Sequence, residues 1–519
     1  MNNKEPWLVG LIFFLLALTH PLIAQAGTIT EIQPRDRLLL VYDSLDNEQK
    51  GDEMINLMQS LLTSLQVSVT TLSIDDYQAG QLTDYTGLIE IINQPDLPIE
   101  NQTFLTERDA YQKKRLHIGQ KLPEPWRQVL GSPLKRLYGD SASLDSLTFQ
   151  ASENLSQTFT VDVLTEDQHS KNYGSLNYDN ELGRYPYGSL QNGVAYLPFW
   201  QTTGLPYLIG NRLVCEWLAI NQVVRQYPLL VFDDFTPVSN FKILKKLQKE
   251  LQAAGLPFAL SATGIWDNLE TKAANNYLEI LTEVSTQNSS LFLQTPFAQS
   301  PNSTDPRALQ RDMATSLTFF LENKVYPVGI ATPAYWNQDA DYQEQALGYS
   351  DTTILLPNRN RQSRLKTTTN QLYQTAYVGF DPDSFSNIDL WGVSEKAFFS
   401  PTAIVIPFPE TEERLERILQ GLTKTSYLFE NTLYTDHKVV TINHTMEVKN
   451  QQFYLDGQRK WIETAIPFEA KAVAEPETSL TGFFATQNKI LTVFITGTLI
   501  VLGIFLIISF VLYRRKYGR

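Results

Sequence analysis

Residues Pro228–Pro237, with the sequence PLLVFDDFTP, carry the clearest fold signal in this chain of 519 residues. The first five are apolar and typical of a buried β-strand, and two adjacent carboxylates, Asp233 and Asp234, follow them directly. A helical pattern then covers Asn240–Ala254, and Gly255 is a suitable end for that helix. The order of strand, polar turn and helix is the unit from which parallel sheets and (β/α) barrels are built.

The same alternation continues as far as residue 425. Five more apolar runs predict strands, at Pro257–Ala262, Ser290–Gln294, Tyr326–Thr332, Thr352–Leu356 and Ala403–Phe408. Helical patterns lie at Ala273–Val284, Asp305–Asn323, Asn337–Leu347 and Glu410–Leu422. Six strand–helix units in this order predict that residues 226–425 form a (β/α) barrel, complete or incomplete.

A second region of strand–helix alternation precedes the predicted barrel. Apolar runs at Arg37–Tyr42, Val67–Ile74 and Gly87–Asn93 predict strands, and Gln49–Gln66 has the periodicity of an amphipathic helix. Residues 29–145 are therefore predicted to form a three-layer α/β domain, flavodoxin-like or amidotransferase-like. A Gly-rich phosphate-binding loop is absent after the first strand, so we expect no nucleotide there.

Two β-rich segments flank the predicted barrel. Residues 146–225 begin with alternating apolar and polar residues and continue with a stretch rich in Tyr, Gly and Asn. This pattern predicts a β-rich connector between the two α/β regions. Residues 426–469 are predicted to form a hairpin-like β segment after the barrel.

Both ends of the chain carry membrane-targeting patterns. Residues 1–26 have a polar start, an apolar run and a small-residue site, which predict a signal peptide; an uncleaved N-terminal anchor is the alternative. Residues 490–512 are apolar and uncharged, and a helix rising about 1.5 Å per residue would cross a bilayer core of about 30 Å. A stalk at 470–489 precedes this helix, and the basic tail 513–519 favours a cytoplasmic C-terminus. We therefore expect a single-pass cell-membrane protein with an extracellular ectodomain.

Composition narrows the class of partner and the compartment. The formal net charge is −14, which argues against nucleic acid as a partner. Cys215 is the only cysteine, so no intrachain disulfide can form. A large ectodomain without disulfides is typical of a bacterial surface protein, which we expect to be Gram-positive.

The predicted barrel gathers polar and aromatic side chains at one rim, because functional residues of such barrels lie at the carboxyl ends of the strands. They are Asp233 and Asp234 after the first strand, Trp266 and Asp267 after the second, Gln294 after the third, and Tyr335 and Trp336 after the fourth. Aromatic rings stack on the apolar faces of sugars, so the set indicates a sugar-binding cleft. The structural alternative is that the Asp pair caps a helix or turn and that the rings belong to the core.

Three segments resemble the polysaccharide deacetylases of carbohydrate esterase family 4. They are VFDDFTP at Val231–Pro237, PFALSATGIW at Pro257–Trp266 and PVGIATPAYW at Pro327–Trp336. The resemblance is strongest to a membrane-anchored Gram-positive branch that carries an α/β domain ahead of the barrel. It implies a barrel of the (β/α)7 type.

The resemblance also implies roles for the Asp pair, with Asp233 as general base and Asp234 as metal ligand. The family's other two metal ligands are histidines after the third strand, where this chain has Gln294. No histidine lies between His169 and His437, so the family's metal site is degenerate here. We predict no cofactor, and a metal at Asp234 only if other side chains replace the histidines.

Together these observations predict an accessory protein that binds or guides an exopolysaccharide or cell-wall glycan during synthesis or export. A tether at the membrane would hold the barrel beside a membrane-embedded glycan synthase, which is the expected protein partner. The alternative is an active extracellular glycan hydrolase. It would be a metal-independent glycosidase using a carboxylate pair such as Asp234 and Asp267, or a deacetylase with replaced ligands. A purely structural surface protein is the third possibility.

Overall fold

We analysed a computed structural model of the chain. It describes residues 29, 31–45, 51–139, 141–155, 159–165, 170–179, 183–220, 227–284, 289–296, 307–359, 368–385, 398–424 and 428–460. The predicted signal peptide, stalk, transmembrane helix and tail lie outside these residues. Within the described part of the chain, none of the helices combines the length and apolar character that a bilayer crossing requires.

The N-terminal region begins as a parallel α/β unit. Its elements are β1 (Arg37–Tyr42), α1 (Gly51–Ser64), β2 (Ser68–Ser73), β3 (Gly87–Ile92), α2 (Gln102–Ala110), β4 (Lys114–Gly119) and α3 (Glu124–Leu130). Strand β1 pairs in parallel with β2 and β3, and β3 pairs in parallel with β4. The predicted strand–helix alternation is confirmed. The sequence pattern missed β4, because basic residues and a histidine interrupt its apolar run.

The β-rich segment that follows is continuous with this sheet. It contains β5 (Leu134–Gly139), β6 (Ala142–Ser146), β7 (Ala151–Leu155), β8 (Phe159–Leu164), β9 (Lys171–Tyr178), β10 (Arg184–Gln191), β11 (Val194–Leu197) and helix α4 (Gly204–Trp217). Strand β11 pairs in parallel with β4, and β10, β9, β6 and β7 extend the sheet beyond it, whereas β5 and β8 pair with each other in a separate two-stranded sheet. The segment predicted as a connector therefore completes the N-terminal sheet, because β4 would otherwise be an open edge strand.

The barrel region follows the predicted order of strands and helices. Its elements are β12 (Leu229–Phe235), α5 (Phe241–Ala253), β13 (Phe258–Thr263), α6 (Lys272–Val284), β14 (Ser289–Gln294), α7 (Ala308–Glu322), β15 (Gly329–Pro333), β16 (Thr352–Leu356), β17 (Thr368–Thr369), β18 (Thr375–Phe380), β19 (Thr402–Pro407) and α8 (Glu412–Lys424). Strands β12 to β16, β18 and β19 form a closed barrel of parallel strands. The predicted barrel is thus confirmed, with seven strands rather than the six found in the sequence.

Two elements of the barrel differ from the sequence prediction. Strand β18, TAYVGF, is the unpredicted seventh strand, and it joins β16 to β19. The run is short and contains Thr375 and Gly379, so the sequence shows no clear apolar run there. The helix predicted at Asn337–Leu347 is divided into a 3₁₀ turn at Ala334–Gln338 and short helical turns from Ala340 to Leu347.

Strand β17 joins the barrel region to the N-terminal sheet. It pairs antiparallel with β2 at the sheet edge. The next residue, Asn370, is buried and bonds back to the N-terminal region: its Oδ1 accepts from the Val69 N–H at 2.7 Å, and its Nδ2 donates to Thr63 Oγ1 at 2.8 Å and to the Val67 carbonyl at 3.1 Å. The two regions therefore share backbone and buried side-chain hydrogen bonds.

A small antiparallel sheet follows the barrel. It consists of β20 (His437–Val440), β21 (Thr445–Lys449), β22 (Gln452–Leu455) and β23 (Gln458–Lys460). Val439 forms a β-bridge with Ser350, next to the start of barrel strand β16. The predicted hairpin-like segment is confirmed within residues 437–460 and covers the end of the barrel where β16 begins.

Candidate functional site at the carboxyl ends of the barrel strands

The Asp pair lies on an irregularity in β12. The pairing of β12 with β13 shifts register between Phe232 and Phe235, and Asp234 has φ of 61°. A bulge of this kind turns side chains out of the regular alternation, and the left-handed conformation is one that Asp adopts more readily than most residues other than Gly. The Phe408 N–H donates to the Asp233 carbonyl at 2.8 Å and holds the bulge against the neighbouring strand β19.

Asp233 is a nearly buried carboxyl, with 3% of its surface exposed. The pKa of Asp233 is raised from 3.8 to about 6, chiefly by burial and then by the charge of Asp234. The Ser261 hydroxyl and the Arg359 guanidinium oppose this change. Asp233 therefore exchanges its proton close to neutral pH, unlike an ordinary surface aspartate.

Arg359 lies among three carboxylates. Its Nη1 is 3.4 Å from Asp233 Oδ2 and 3.7 Å from Asp234 Oδ2, and its Nη2 is 3.4 Å from Asp381 Oδ2. Nη2 also donates to the carbonyl of Val405 on β19 at 3.2 Å. One guanidinium thus balances part of the charge of carboxylates on or next to two barrel strands, β12 and β18, and bonds to the backbone of a third, β19.

Gln294 completes the polar cluster at the end of β14. Its Nε2 donates to Asp234 Oδ1 at 2.8 Å, and the residue is 6% exposed. Asp234 therefore lies between an amide and a guanidinium, while 47% of its side-chain surface stays open to solvent. Asp234 is more exposed than Gln294 and Arg359, so a ligand at the barrel mouth can reach it more easily than either of them.

Three buried polar atoms in this cluster have no hydrogen-bond partner of normal geometry among the described residues. They are Asp233 Oδ1, Ser261 Oγ and Gln294 Oε1. Buried polar atoms in folded proteins are nearly always satisfied by protein, water or ligand. The cluster therefore has capacity for a ligand or water that the protein itself does not fill.

The predicted aromatic residues have different surroundings. Trp266 is 42% exposed in the loop after β13, and Tyr335 is half-buried after β15. Trp336 is 1% exposed and stacks on Tyr342, with ring centroids 4.2 Å apart and an interplanar angle of 8°. Trp336 therefore belongs to the core, whereas Trp266 presents ring surface at the same face of the barrel as the Asp pair.

Asp267 occupies an exposed turn. Its Oδ1 accepts from the backbone N–H of Asn268 at 2.8 Å, and Asn268 has φ of 55°. A carboxylate that accepts from the next backbone N–H is a common turn-stabilising arrangement. A structural role therefore accounts for Asp267.

The structure brings together Asp233, Asp234 and Gln294, which the sequence had placed at strand ends. Sequence reasoning missed Arg359 and Asp381. Asp381 directly follows β18 and Arg359 comes three residues after β16, so strand-end position was the available signal. It was not used for Asp381 because β18 itself was not recognised.

The residues around Asp234 do not fit the divalent metal that the resemblance to deacetylases implies. Gln294 directs an amide N–H at Asp234 and Arg359 directs a guanidinium at it, and neither donor can ligate a cation. Across the residues that the structure describes, no group of three or more His, Cys, Asp or Glu could hold a metal ion. We derive no chemistry through a metal at this site.

No protein-family model and no curated protein matches the chain. Several solved structures show partial similarity, and three of them follow. A ThuA-like protein from Parabacteroides merdae aligns with 12% identity and a TM-score of 0.27, over 38% of this chain and 94% of that one. A carbohydrate esterase family 4 pseudoenzyme from Bacillus anthracis aligns with 11% identity and a TM-score of 0.26, over 40% of this chain and 64% of its own.

The third is a mutant of that pseudoenzyme, described as having restored enzymatic activity. It aligns with 12% identity and a TM-score of 0.25, over 39% of this chain and 63% of that one. The chain thus spans less than two thirds of the length of both pseudoenzyme structures. At TM-scores this low, the similarity assigns no role to the residues of the site.

Proposed function

We propose that this protein binds a polysaccharide at the mouth of its deacetylase-like barrel and does not deacetylate it. The observation that carries the proposal is the group of buried, unsatisfied polar atoms on Asp233, Ser261 and Gln294 at the carboxyl ends of the strands. Sugars present many hydroxyls and can supply the missing partners.

The rim of the barrel supports a sugar ligand. The exposed indole of Trp266 offers an aromatic face, and Val238, 74% exposed in the loop after β12, adds apolar surface at the same end. Sugar rings have one apolar face and a polar edge, so an aromatic platform beside a polar cluster suits both. The three segments that resemble polysaccharide deacetylases point to the same class of ligand.

An accessory role agrees better with the cluster than family-type catalysis does. Deacetylation in that family uses a metal, and here an amide and a guanidinium occupy the surroundings of Asp234. We propose that the barrel works outside the cell, tethered by the segment at 490–512 next to a membrane-embedded glycan synthase. A tether would raise the local concentration of the barrel where a glycan emerges.

Binding to purified glycans tests the proposal. Full-length protein in detergent would be screened against exopolysaccharide and cell-wall oligosaccharides by isothermal titration calorimetry. We expect binding of at least one, and a loss of about tenfold or more in affinity for Trp266→Ala, because the substitution removes the aromatic face on which a sugar ring would stack.

The matched control is Tyr434→Ala, which removes a ring that is 68% exposed in the segment before β20. It should leave affinity unchanged. Equal losses from both substitutions, or no binding by the parent protein, would contradict a glycan site at the barrel mouth.

A glycosidase is the second candidate, and one observation favours it. Asp233 has a pKa raised to about 6 by burial and by the adjacent carboxylate of Asp234, and such a carboxyl can act as a general acid. Release of reducing ends by the parent protein, abolished in Asp233→Asn with glycan binding retained, would favour the enzyme. Binding without any release would favour the accessory role.

A further inference from the structure

We infer that the cluster at the barrel mouth binds the free ammonium group of an amino sugar, so that the favoured glycan contains deacetylated hexosamine. This inference rests on the proposed glycan-binding function and specifies its ligand. It follows from the charge of the cluster, from the kind of atom left unsatisfied there, and from the accessibility of Asp234.

The charge of the cluster is unbalanced. Among the described residues, Asp233, Asp234 and Asp381 surround a single guanidinium, that of Arg359, and none of the three ion-pair distances is shorter than 3.4 Å. One cation shared at these distances leaves excess negative charge on the described groups of this partly desolvated cluster. A cationic ligand would be favoured there, and a uronic acid or a phosphate-bearing glycan would be repelled.

The buried polar atoms that lack a hydrogen bond in this cluster are mainly acceptors, which a cationic donor would match. Asp233 Oδ1 and Gln294 Oε1 are hydrogen-bond acceptors, each on a residue more than nine-tenths buried, and neither accepts a hydrogen bond of normal geometry from the described residues. The Gln294 amide nitrogen is already committed to Asp234 Oδ1, which leaves its oxygen as the free end. Two of the three unsatisfied atoms therefore require a donor, and the third, the Ser261 hydroxyl, can either donate or accept.

An ammonium group suits these acceptor atoms better than an N-acetyl group or a sugar hydroxyl does. It brings three donors and no acceptor. An N-acetyl group would bring a single N–H, a carbonyl acceptor and a methyl group, and a sugar hydroxyl would bring one donor without charge. Hydrogen bonds between an ammonium and a carboxylate are also about twice as strong as neutral ones.

Asp234 is the residue of the cluster through which a ligand from solvent can reach the buried acceptors. Its side chain is 47% exposed, whereas those of Asp233 and Arg359 are 5% and 27% exposed. The bulge of β12 directs Asp234 away from the regular strand alternation, with the Gln294 amide on one carboxylate oxygen. An ammonium group entering from solvent would meet Asp234 first and then the buried acceptors.

Three neutral or cationic oligosaccharides of equal length test the inference on the full-length protein. They are a glucosamine hexamer, an N-acetylglucosamine hexamer and a cellohexaose, titrated by calorimetry at moderate salt. We expect the glucosamine hexamer to bind about tenfold or more tightly than the other two, as a charge-assisted hydrogen bond predicts. Asp234→Asn should remove most of this preference, and Asp381→Asn should reduce the preference as a second variant.

Two controls separate recognition from general attraction to an acidic protein. Asp96→Asn removes one exposed charge from the N-terminal region and should not change the preference. Hexalysine should bind more weakly than the glucosamine hexamer, and equal binding would overturn the inference. Equal affinity for the three oligosaccharides, or a preference for the N-acetylated one, would overturn the ammonium inference but keep the glycan site. No binding of any sugar would contradict both.

Discussion

At the scale of single residues, the site keeps an arrangement that costs stability. Asp233 is buried beside a second carboxylate, and three polar atoms of the cluster make no hydrogen bond of normal geometry with the described residues. A fully structural turn would be expected to satisfy these atoms, as the turn at Asp267 does. Other buried polar atoms that make no hydrogen bond of normal geometry are spread over the described residues, but these three lie together at the end of the barrel where such folds place their functional residues.

The free energy of unfolding should report this cost. Burial and the charge of Asp234 raise the pKa of Asp233 to about 6, so the folded state binds that proton more tightly than the unfolded state does. Stability is then lost as the pH rises from about 4 to about 6. Asp233→Asn should be more stable than the parent at about pH 8, by up to about 3 kcal/mol, and the gap should close near pH 4.

Urea unfolding at the two pH values measures the effect, with Asp96→Asn as the charge-matched control that should show no such pH dependence. A variant that is less stable than the parent at about pH 8 would contradict the expectation. It would mean that the ion pair with Arg359 outweighs the burial of the carboxylate.

At the scale of the element, the bulge in β12 positions the site. The strand pattern PLLVF was visible in the sequence, but its continuation through Asp233 and Asp234 to Phe235 was not. A left-handed residue costs energy for any side chain with a Cβ, and less for Asp than for most. The sequence pattern therefore located the pair, while the pairing with β13 and β19 set its direction.

The backbone of Asp234 can be tested with two substitutions that both remove the carboxylate. Asp234→Gly and Asp234→Ala should lose ammonium recognition equally. Because φ is 61° at this position, the Gly variant should be more stable than the Ala variant by about 1 kcal/mol. Chemical denaturation of the two variants measures this difference, and a more stable Ala variant would mean that the bulge is not left-handed in solution.

At the scale of the whole molecule, the segment between β16 and β18 joins the barrel to the N-terminal sheet. Strand β17 lies between barrel strands β16 and β18 in sequence, yet it pairs with β2 of the N-terminal sheet. Asn370 and Asn337 both donate to Thr63 Oγ1 on α1, at 2.8 and 3.0 Å. These shared bonds favour unfolding of the two regions as one cooperative unit.

Asn370→Ala tests this connection. It should lower the free energy of unfolding by about 2–4 kcal/mol, since it leaves the buried Val69 N–H and Val67 carbonyl without their partner. Urea unfolding followed by tryptophan fluorescence should show one transition for the parent. Asn276→Ala, at an exposed position of α6, is the control and should change stability by less than about 0.5 kcal/mol. Two separate transitions in the parent would contradict a single cooperative unit.

Local patterns predicted much of this architecture. The strand–helix alternation of the N-terminal region and of the barrel followed from apolar periodicity. A helix or strand that buries one face, or both, needs apolar residues at the spacing of that element, and this spacing is visible in the sequence. The Asp pair, Trp266 and Gln294 were found for the same reason, since they directly follow such runs. The segments at both ends of the chain stay predictions, because they lie outside the described residues.

Long-range pairing accounts for what the patterns could not show. Arg359 and Asp233 are separated by 126 residues, and they meet only because the closed barrel brings the ends of β12, β16 and β18 to one rim. The extension of the N-terminal sheet through β11 and its edge pairing with β17 likewise depend on partners distant in sequence. Local periodicity reports whether a residue is buried, but the identity of its neighbours is set when the strands close, and the charge of the cluster therefore became visible only in the folded chain.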